Sequence, residues 1–132
     1  MAAPRILIAD DQEEMLQAVL LILDDEFNVV GTAENGTRAI ELATHLFPDV
    51  LVLDIAMPVV NGIEAARRLR ELGCPTKIIF LTVNADPDFV EAALSAGALG
   101  YVLKPALATD LVPAIWAAMK GNTYISPSML VH

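Results

Sequence analysis

Short runs of β-branched and aliphatic residues recur along the chain, at 5–9, 27–31, 49–53, 77–81 and 100–103. Three of them are almost wholly apolar, the pattern of strands covered on both faces. The stretches between them carry helical spacing. Leu16, Val19, Leu20 and Leu23 stand one helical face apart. Ala39, Ile40, Ala43 and Phe47 repeat the stripe, followed by Ile63, Ala66 and Leu69, then Phe89, Ala92, Ala93 and Ala96. Pro48, Gly73, Gly97 and Gly121 come after these stretches as stop signals. Pro113 suits the first turn of the fifth helix, where a missing N–H costs little. Strict alternation of strand and helix predicts an α/β fold: a doubly wound parallel sheet with helices on both faces and right-handed crossovers. In such sheets the working site lies beyond the carboxyl ends of the strands.

Composition narrows the class. The chain has 132 residues, 55% hydrophobic and 19% charged, which suits one folded domain and excludes intrinsic disorder. Its net charge of −9 disfavours nucleic-acid binding by this segment itself. One cysteine, Cys74, excludes an internal disulfide and a cysteine-rich zinc site, and reads as a small apolar residue. No window reaches ~18 uncharged apolar residues, so no membrane span is expected. Asp10 and Asp11 follow the first apolar run too soon for a signal peptide, and the expectation is a soluble cytoplasmic protein. Residues 1–121 read as the domain, and 122–132 as the start of a linker.

Polar residues collect where the strands end. The first is followed by Asp10 and Asp11, the third by Asp54, the fourth by Thr82 and the fifth by Lys104 and Pro105. Taken singly, the first two acids could serve a helix dipole, Asp54 a turn, Thr82 a strand and Lys104 a solvated strand end. All at one edge of one sheet, they point to a site. Three carboxylates in one crevice repel each other unless a cation sits among them. Oxygen donors without His or Cys favour Mg²⁺ or Mn²⁺ over zinc. Three carboxylates, a dication and Lys104 sum to zero, leaving the crevice ready for an anion. Asp54, at the end of the central strand, is placed to accept a phosphoryl group as an acyl phosphate. The Thr82 hydroxyl and Lys104 would counter charge on its oxygens.

Four stretches together resemble the receiver domain of bacterial two-component response regulators. They are Ile8-Ala-Asp-Asp11, Leu53-Asp-Ile-Ala-Met-Pro-Val-Val-Asn-Gly62, Leu81-Thr82 and Ala96-Gly-Ala-Leu-Gly-Tyr-Val-Leu-Lys-Pro105. The resemblance implies a flavodoxin-like five-stranded sheet in the order 2-1-3-4-5. It implies that Asp54 takes phosphate from a sensor histidine kinase or a small acyl phosphate. Asp11 and Asp54 would then ligate Mg²⁺ directly, Asp10 through water, and Ala56 through its backbone carbonyl. Thr82 and Lys104 would touch the phosphoryl oxygens, and Tyr101 would be an aromatic switch that swings inward when Thr82 moves. Ala56 and Asn84 stand where such domains tune the phosphoryl lifetime. The Lys104–Pro105 bond would be cis.

Residues 96–101 and 119–127 are similar to receivers of the NarL/LuxR type, which precede a helix-turn-helix DNA-binding domain. The resemblance implies DNA contact only through such a domain, absent here. A stand-alone receiver acting by protein contact is the alternative. The first and fifth helices read as apolar all round at 18–23 and 111–119. Such a helix is wholly buried or has a partner. Their outer sides are expected to form a homodimer interface through Leu21, Val112 and Trp116, unless Trp116 packs into the local core. Three other classes fit less well. Acids at 10–14 would repel a flavin phosphate. A phosphatase of the aspartyl type would want a carboxylate at Ala56. His45, on an amphipathic helix, reads as a surface residue rather than a phosphate carrier.

Overall fold

The computed structural model describes residues 3–129. The chain alternates β1 (Arg5–Ala9), α1 (Glu13–Leu23), β2 (Asn28–Ala33), α2 (Gly36–Leu46), β3 (Val50–Asp54), α3 (Gly62–Glu71), β4 (Lys77–Thr82), α4 (Pro87–Ser95) and β5 (Gly100–Leu103). A 3₁₀ turn at Lys104–Ala106 leads into α5 (Leu107–Met119), then β6 (Tyr124–Ile125) and a last 3₁₀ turn at Pro127–Met129. All pairings are parallel, and the sheet order is β2-β1-β3-β4-β5-β6.

The pleat divides the apolar strand residues between two cores. Leu7, Leu51, Leu53, Ile78, Phe80 and Tyr101 face α2, α3 and α4. Ile6, Ile8, Val50, Val52, Ile79, Leu81 and Val102 face α1 and α5. Both faces being covered explains why β1, β3 and β4 read as continuous apolar runs rather than alternating ones. Gly73, Gly97 and Gly121 end their helices with φ of 72°, 96° and 77°. The helix stops read from them therefore have a backbone cause, since such angles strain any residue with a Cβ.

Three expectations are corrected. The sheet has a sixth strand, because the chain after α5 turns back along the edge of β5 rather than leaving as a linker. Tyr124 N–H donates to the Leu99 carbonyl and Ser126 N–H to that of Tyr101, each at 2.8 Å, and Met129 is buried. Pro113 does not lie in the first turn of α5. The buried stripe already begins at Leu107, so the helix starts six residues before it. The hydrogen bond Pro113 cannot give would go to the Thr109 carbonyl; both residues are exposed, so water can take its place. No cis peptide occurs among the described residues, so Lys104–Pro105 is trans. Pro105 sits in the opening 3₁₀ turn, where its fixed φ is accommodated without isomerisation.

Candidate functional site

The carboxyl edge of the sheet gathers side chains from four strand ends. Asp10 leaves β1 with its side chain buried, and its Oδ1 accepts from the Gln12 N–H at 2.9 Å. Asp54 closes β3, buried, with Oδ1 accepting from the Ala56 N–H at 3.2 Å. Asp11 is exposed beside them. One carboxylate oxygen from each of Asp10, Asp11 and Asp54 lies within 4.8 Å of the other two. Lys104, just past β5, brings its Nζ to 2.9 Å from Asp10 Oδ2 and 3.5 Å from Asp54 Oδ2. Thr82 closes β4, buried, with its Oγ1 accepting from the Asn84 N–H at 3.1 Å. A cleft of about 190 Å³ opens over this group, lined by Asp11, Gln12, Asp54, Ala56, Thr82, Val83 and Lys104. The strand-end residues singled out from the sequence therefore converge.

The local chain is shaped to hold Asp54. The loop after β3 is anchored by the buried side chains of Ile55, Met57 and Val60. It doubles back so closely that a Cβ on Gly62 would stand 2.2 Å from the Asp54 carbonyl oxygen. The Gly62 N–H donates to the Ile55 carbonyl at 2.8 Å, and Asn61 caps α3 through the Glu64 N–H. A Cβ on Gly36 would likewise meet the Val60 carbonyl at 2.0 Å, so α2 braces the loop from behind. Between these anchors Val59 is exposed at φ 69°, a left-handed backbone unusual for a β-branched residue.

Electrostatics show what the crevice lacks. Burial, and then the Asp10 charge, push the Asp54 carboxyl above its ordinary value, against the pull of Lys104. Asp10 Oδ2 is buried without a hydrogen-bond donor, although the Lys104 ammonium is close. One ammonium thus serves two buried acids, with a third at the rim. Hard oxygen donors, an excess of negative charge and an oxygen without a donor fit a dication such as Mg²⁺. Asp10, Asp11 and Asp54 are the side chains that could hold it. A carboxylate beside a cation and an ammonium, with a hydroxyl across the cleft, can carry a phosphoryl group.

A second chain of contacts runs inward from Thr82. The Tyr101 ring is fully buried, and its hydroxyl donates to the Asn84 carbonyl at 2.7 Å. Burial and the nearby Asp86 charge push the phenol up to about 12. The ring thus occupies an inward position, tied to the same loop whose amide binds Thr82. The Ala56 side chain is exposed. Cys74 is half-buried, and His45 lies on the exposed face of α2.

On the sheet face covered by α1 and α5, Leu21 is 78% exposed on α1. Val112 is half-buried against the α1/α5 core. Trp116 is 38% exposed. Its ring packs on Phe27 at 5.3 Å between centroids, and its Nε1 donates to Glu26. The indole is thus packed in part against the chain's own Phe27 and in part open to solvent. Sequence reasoning missed Asp110, buried on α5 and bonded to Ser126 at 2.7 Å. The signal was a lone acid in an otherwise apolar stripe of Leu107, Leu111, Ala114 and Ile115.

The chain belongs to the response regulator receiver domain family, whose pattern it matches over residues 6–116. It is 42% identical over 127 residues to the uncharacterized transcriptional regulatory protein YvfU of Bacillus subtilis, covering 95% of this chain and 64% of that protein. It is 39% identical to the transcriptional regulatory protein DesR of the same organism, covering 95% of this chain and 63% of that one. The chain therefore spans under two thirds of the length of these relatives. Among solved structures, the signal receiver domain of the response regulator NarL from Mycobacterium tuberculosis superposes with a TM-score of 0.88. It shares 32% identity and covers 92% of this chain and 100% of that one. The NarL/LuxR-type resemblance and the doubly wound flavodoxin-like fold are thereby shown. Among the described residues no helix is long and apolar enough to cross a membrane.

Proposed function

We propose that Asp54 is the phosphoacceptor of a phosphorelay, taking a phosphoryl group from the phosphohistidine of a sensor histidine kinase or from a small acyl phosphate. The observation that carries this is the placement of Asp54, buried, sharing the Lys104 ammonium with Asp10 and lining a cleft that also holds Thr82. An oxygen of Asp54 attacks phosphorus. The bond from phosphorus to the donor nitrogen breaks, and the imidazole leaves with a proton from solvent. A dication held by the site's acids would supply positive charge to offset that on the phosphoryl group. Asp10, Asp11 and Asp54, with the Ala56 carbonyl, are the groups that would hold it. Lys104 stands ready to pair with a phosphoryl oxygen, and the Thr82 hydroxyl to donate to another. Water reaches the same cleft, so the domain also promotes its own dephosphorylation. It is a signalling module rather than a turnover enzyme.

When Thr82 turns toward the phosphoryl group it gives up the Asn84 amide. The Asn84 carbonyl holds the Tyr101 hydroxyl, so Thr82 and Tyr101 act as the switch pair that biases two states of this face. The output follows from relatives that are transcriptional regulatory proteins longer than this chain. In this reading the domain works in the cytoplasm, controls a DNA-binding segment outside residues 1–132, and pairs with a second copy through α1 and α5. Leu21, Val112 and the open face of Trp116 supply the apolar contact.

Intact-mass measurement tests the central claim. With a small phosphodonor and Mg²⁺ one phosphoryl group is added, stable to acid and labile to base. It is absent with EDTA and absent in Asp54→Asn; phosphorylation of that variant to the wild-type level refutes the assignment. Sedimentation of phosphorylated Leu21→Asp tests the dimer: a monomer is expected, and a profile equal to wild type rejects the surface.

A further inference from the structure

Asp110 is a buried acid for which the phosphoryl chemistry has no use. It lies on the inner stripe of α5, 7% exposed. A carboxylate among apolar side chains is costly unless hydrogen bonds hold it. Here three hydroxyls surround it. Ser126 Oγ donates to its Oδ2 at 2.7 Å, the Tyr124 hydroxyl donates to Oδ1 at 3.2 Å, and Thr109 Oγ1 stands 3.2 Å from Oδ1. Two of the three come from the segment after α5, which the family match to residues 6–116 does not reach.

Ser126 has a second bond, and it leads to the site. Beyond Ile125 the ladder between β5 and β6 ends, and the next edge amide of β5, that of Leu103, has no strand partner. Ser126, fully buried, supplies its Oγ as acceptor for the Leu103 N–H at 3.0 Å. The residue after Leu103 is Lys104, whose ammonium touches Asp10 and Asp54. The chain of bonds therefore runs from α5 through Asp110 and Ser126 to the backbone from which Lys104 projects. Asp110 orients the hydroxyl: by accepting its proton, it turns the Ser126 lone pairs toward Leu103.

We infer that Ser126 and Asp110 are positioning residues for Lys104, fixing the end of β5 so that the ammonium is held at the phosphoryl site. The inference rests on the phosphoacceptor reading of Asp54. It gives the segment that follows α5 a direct hold on the chemistry. By the same bonds, a shift of Lys104 toward a phosphoryl oxygen pulls on Ser126 and on the chain beyond it. Neither residue touches the phosphoryl group, so both act only through Lys104.

A double-mutant cycle on the full chain decides it, with phosphorylation by acetyl phosphate at saturating Mg²⁺ followed by intact mass over hours. Ser126→Ala is expected to slow phosphorylation about tenfold, the scale at which a small misplacement of a charge-stabilising group acts. Asp110→Asn slows it less, and Ser126→Thr, which keeps the hydroxyl, restores it. In a Lys104→Met background, Ser126→Ala should change the already reduced rate by less than about twofold, because the group it positions is gone. Equal slowing in both backgrounds means general loosening of the edge and overturns the inference. So does an unchanged rate in Ser126→Ala, or a Thr variant as slow as the Ala variant. Wild type that takes up no phosphoryl group at all overturns the reading of Asp54 itself, a failure seen before any variant is compared.

Discussion

Replacing Lys104 with Met removes the ammonium that lies 2.9 Å from Asp10 Oδ2 and 3.5 Å from Asp54 Oδ2. At an effective dielectric of about 20, each contact carries roughly 5 kcal/mol of Coulomb attraction before the cost of desolvation. Deleting one partner of a buried pair costs about 3–5 kcal/mol net, because the other charge is left stranded. Here the strain has an outlet. The Asp54 carboxyl is already held above its ordinary value by burial and Asp10, so without Lys104 it takes up a proton more readily. The expected loss without metal is about 3–5 kcal/mol at pH 8, where the carboxylates are least relieved by protonation. The sign with pH follows. A carboxyl raised in the folded state favours folding when protonated, and that contribution is lost as pH rises through its folded value. The deficit of Lys104→Met should thus shrink as pH falls toward the ordinary carboxylate value of 3.8.

Mg²⁺ provides the second half of the test. A ligand at a hundred times its dissociation constant stabilises the folded state by about 2.7 kcal/mol. In wild type a dication bound by Asp10, Asp11 and Asp54 would compete with the Lys104 ammonium for the same carboxylates. Without the ammonium the metal should bind at least tenfold tighter, adding about 1.4 kcal/mol to its stabilising effect. Urea unfolding followed by circular dichroism, with EDTA or with MgCl₂, measures all four states. A Lys104→Met protein as stable as wild type in EDTA refutes the reasoning. Equal stabilisation of both proteins by Mg²⁺ refutes it as well.

Two further outcomes are expected. Val59→Gly should raise stability by about 0.5–1 kcal/mol in thermal unfolding, since relief of a left-handed backbone worth ~1–2 kcal/mol outweighs the added chain entropy of glycine, and a loss of stability would show that the loop tolerates Val59 unstrained. Wild type should lose stability relative to Tyr101→Phe between pH 10 and about 12, because a phenol raised in the folded state favours folding below its unfolded value and ceases to as pH rises through its folded value; parallel alkaline unfolding curves for the two proteins would contradict this.

The strand ends were legible because β1, β3 and β4 are apolar on both faces, so the first polar residue marks the edge. Asp10, Asp54, Thr82 and Lys104 were each visible as that residue. Three features were not legible, for physical reasons. The sixth strand holds Tyr124 and Ile125 alone, too short for periodicity to register, and it is fixed by backbone pairing with β5. Pro113 is a common first-turn signal, whereas the start of α5 is set by burial that begins at Leu107. The partnership of Asp110 with Ser126 spans 16 residues and depends on the chain turning back at Gly121, which composition does not announce.

Trp116 is the one tryptophan in the chain, with one side of its ring on Phe27 and the other in water. Its emission therefore reports on the α1/α5 surface without an attached dye. Covering the wet side with another protein would move the spectrum to shorter wavelength, while opening of the Glu26 contact would move it the other way. The molecule thus carries its own optical gauge, outside the lining of the cleft where the chemistry is expected.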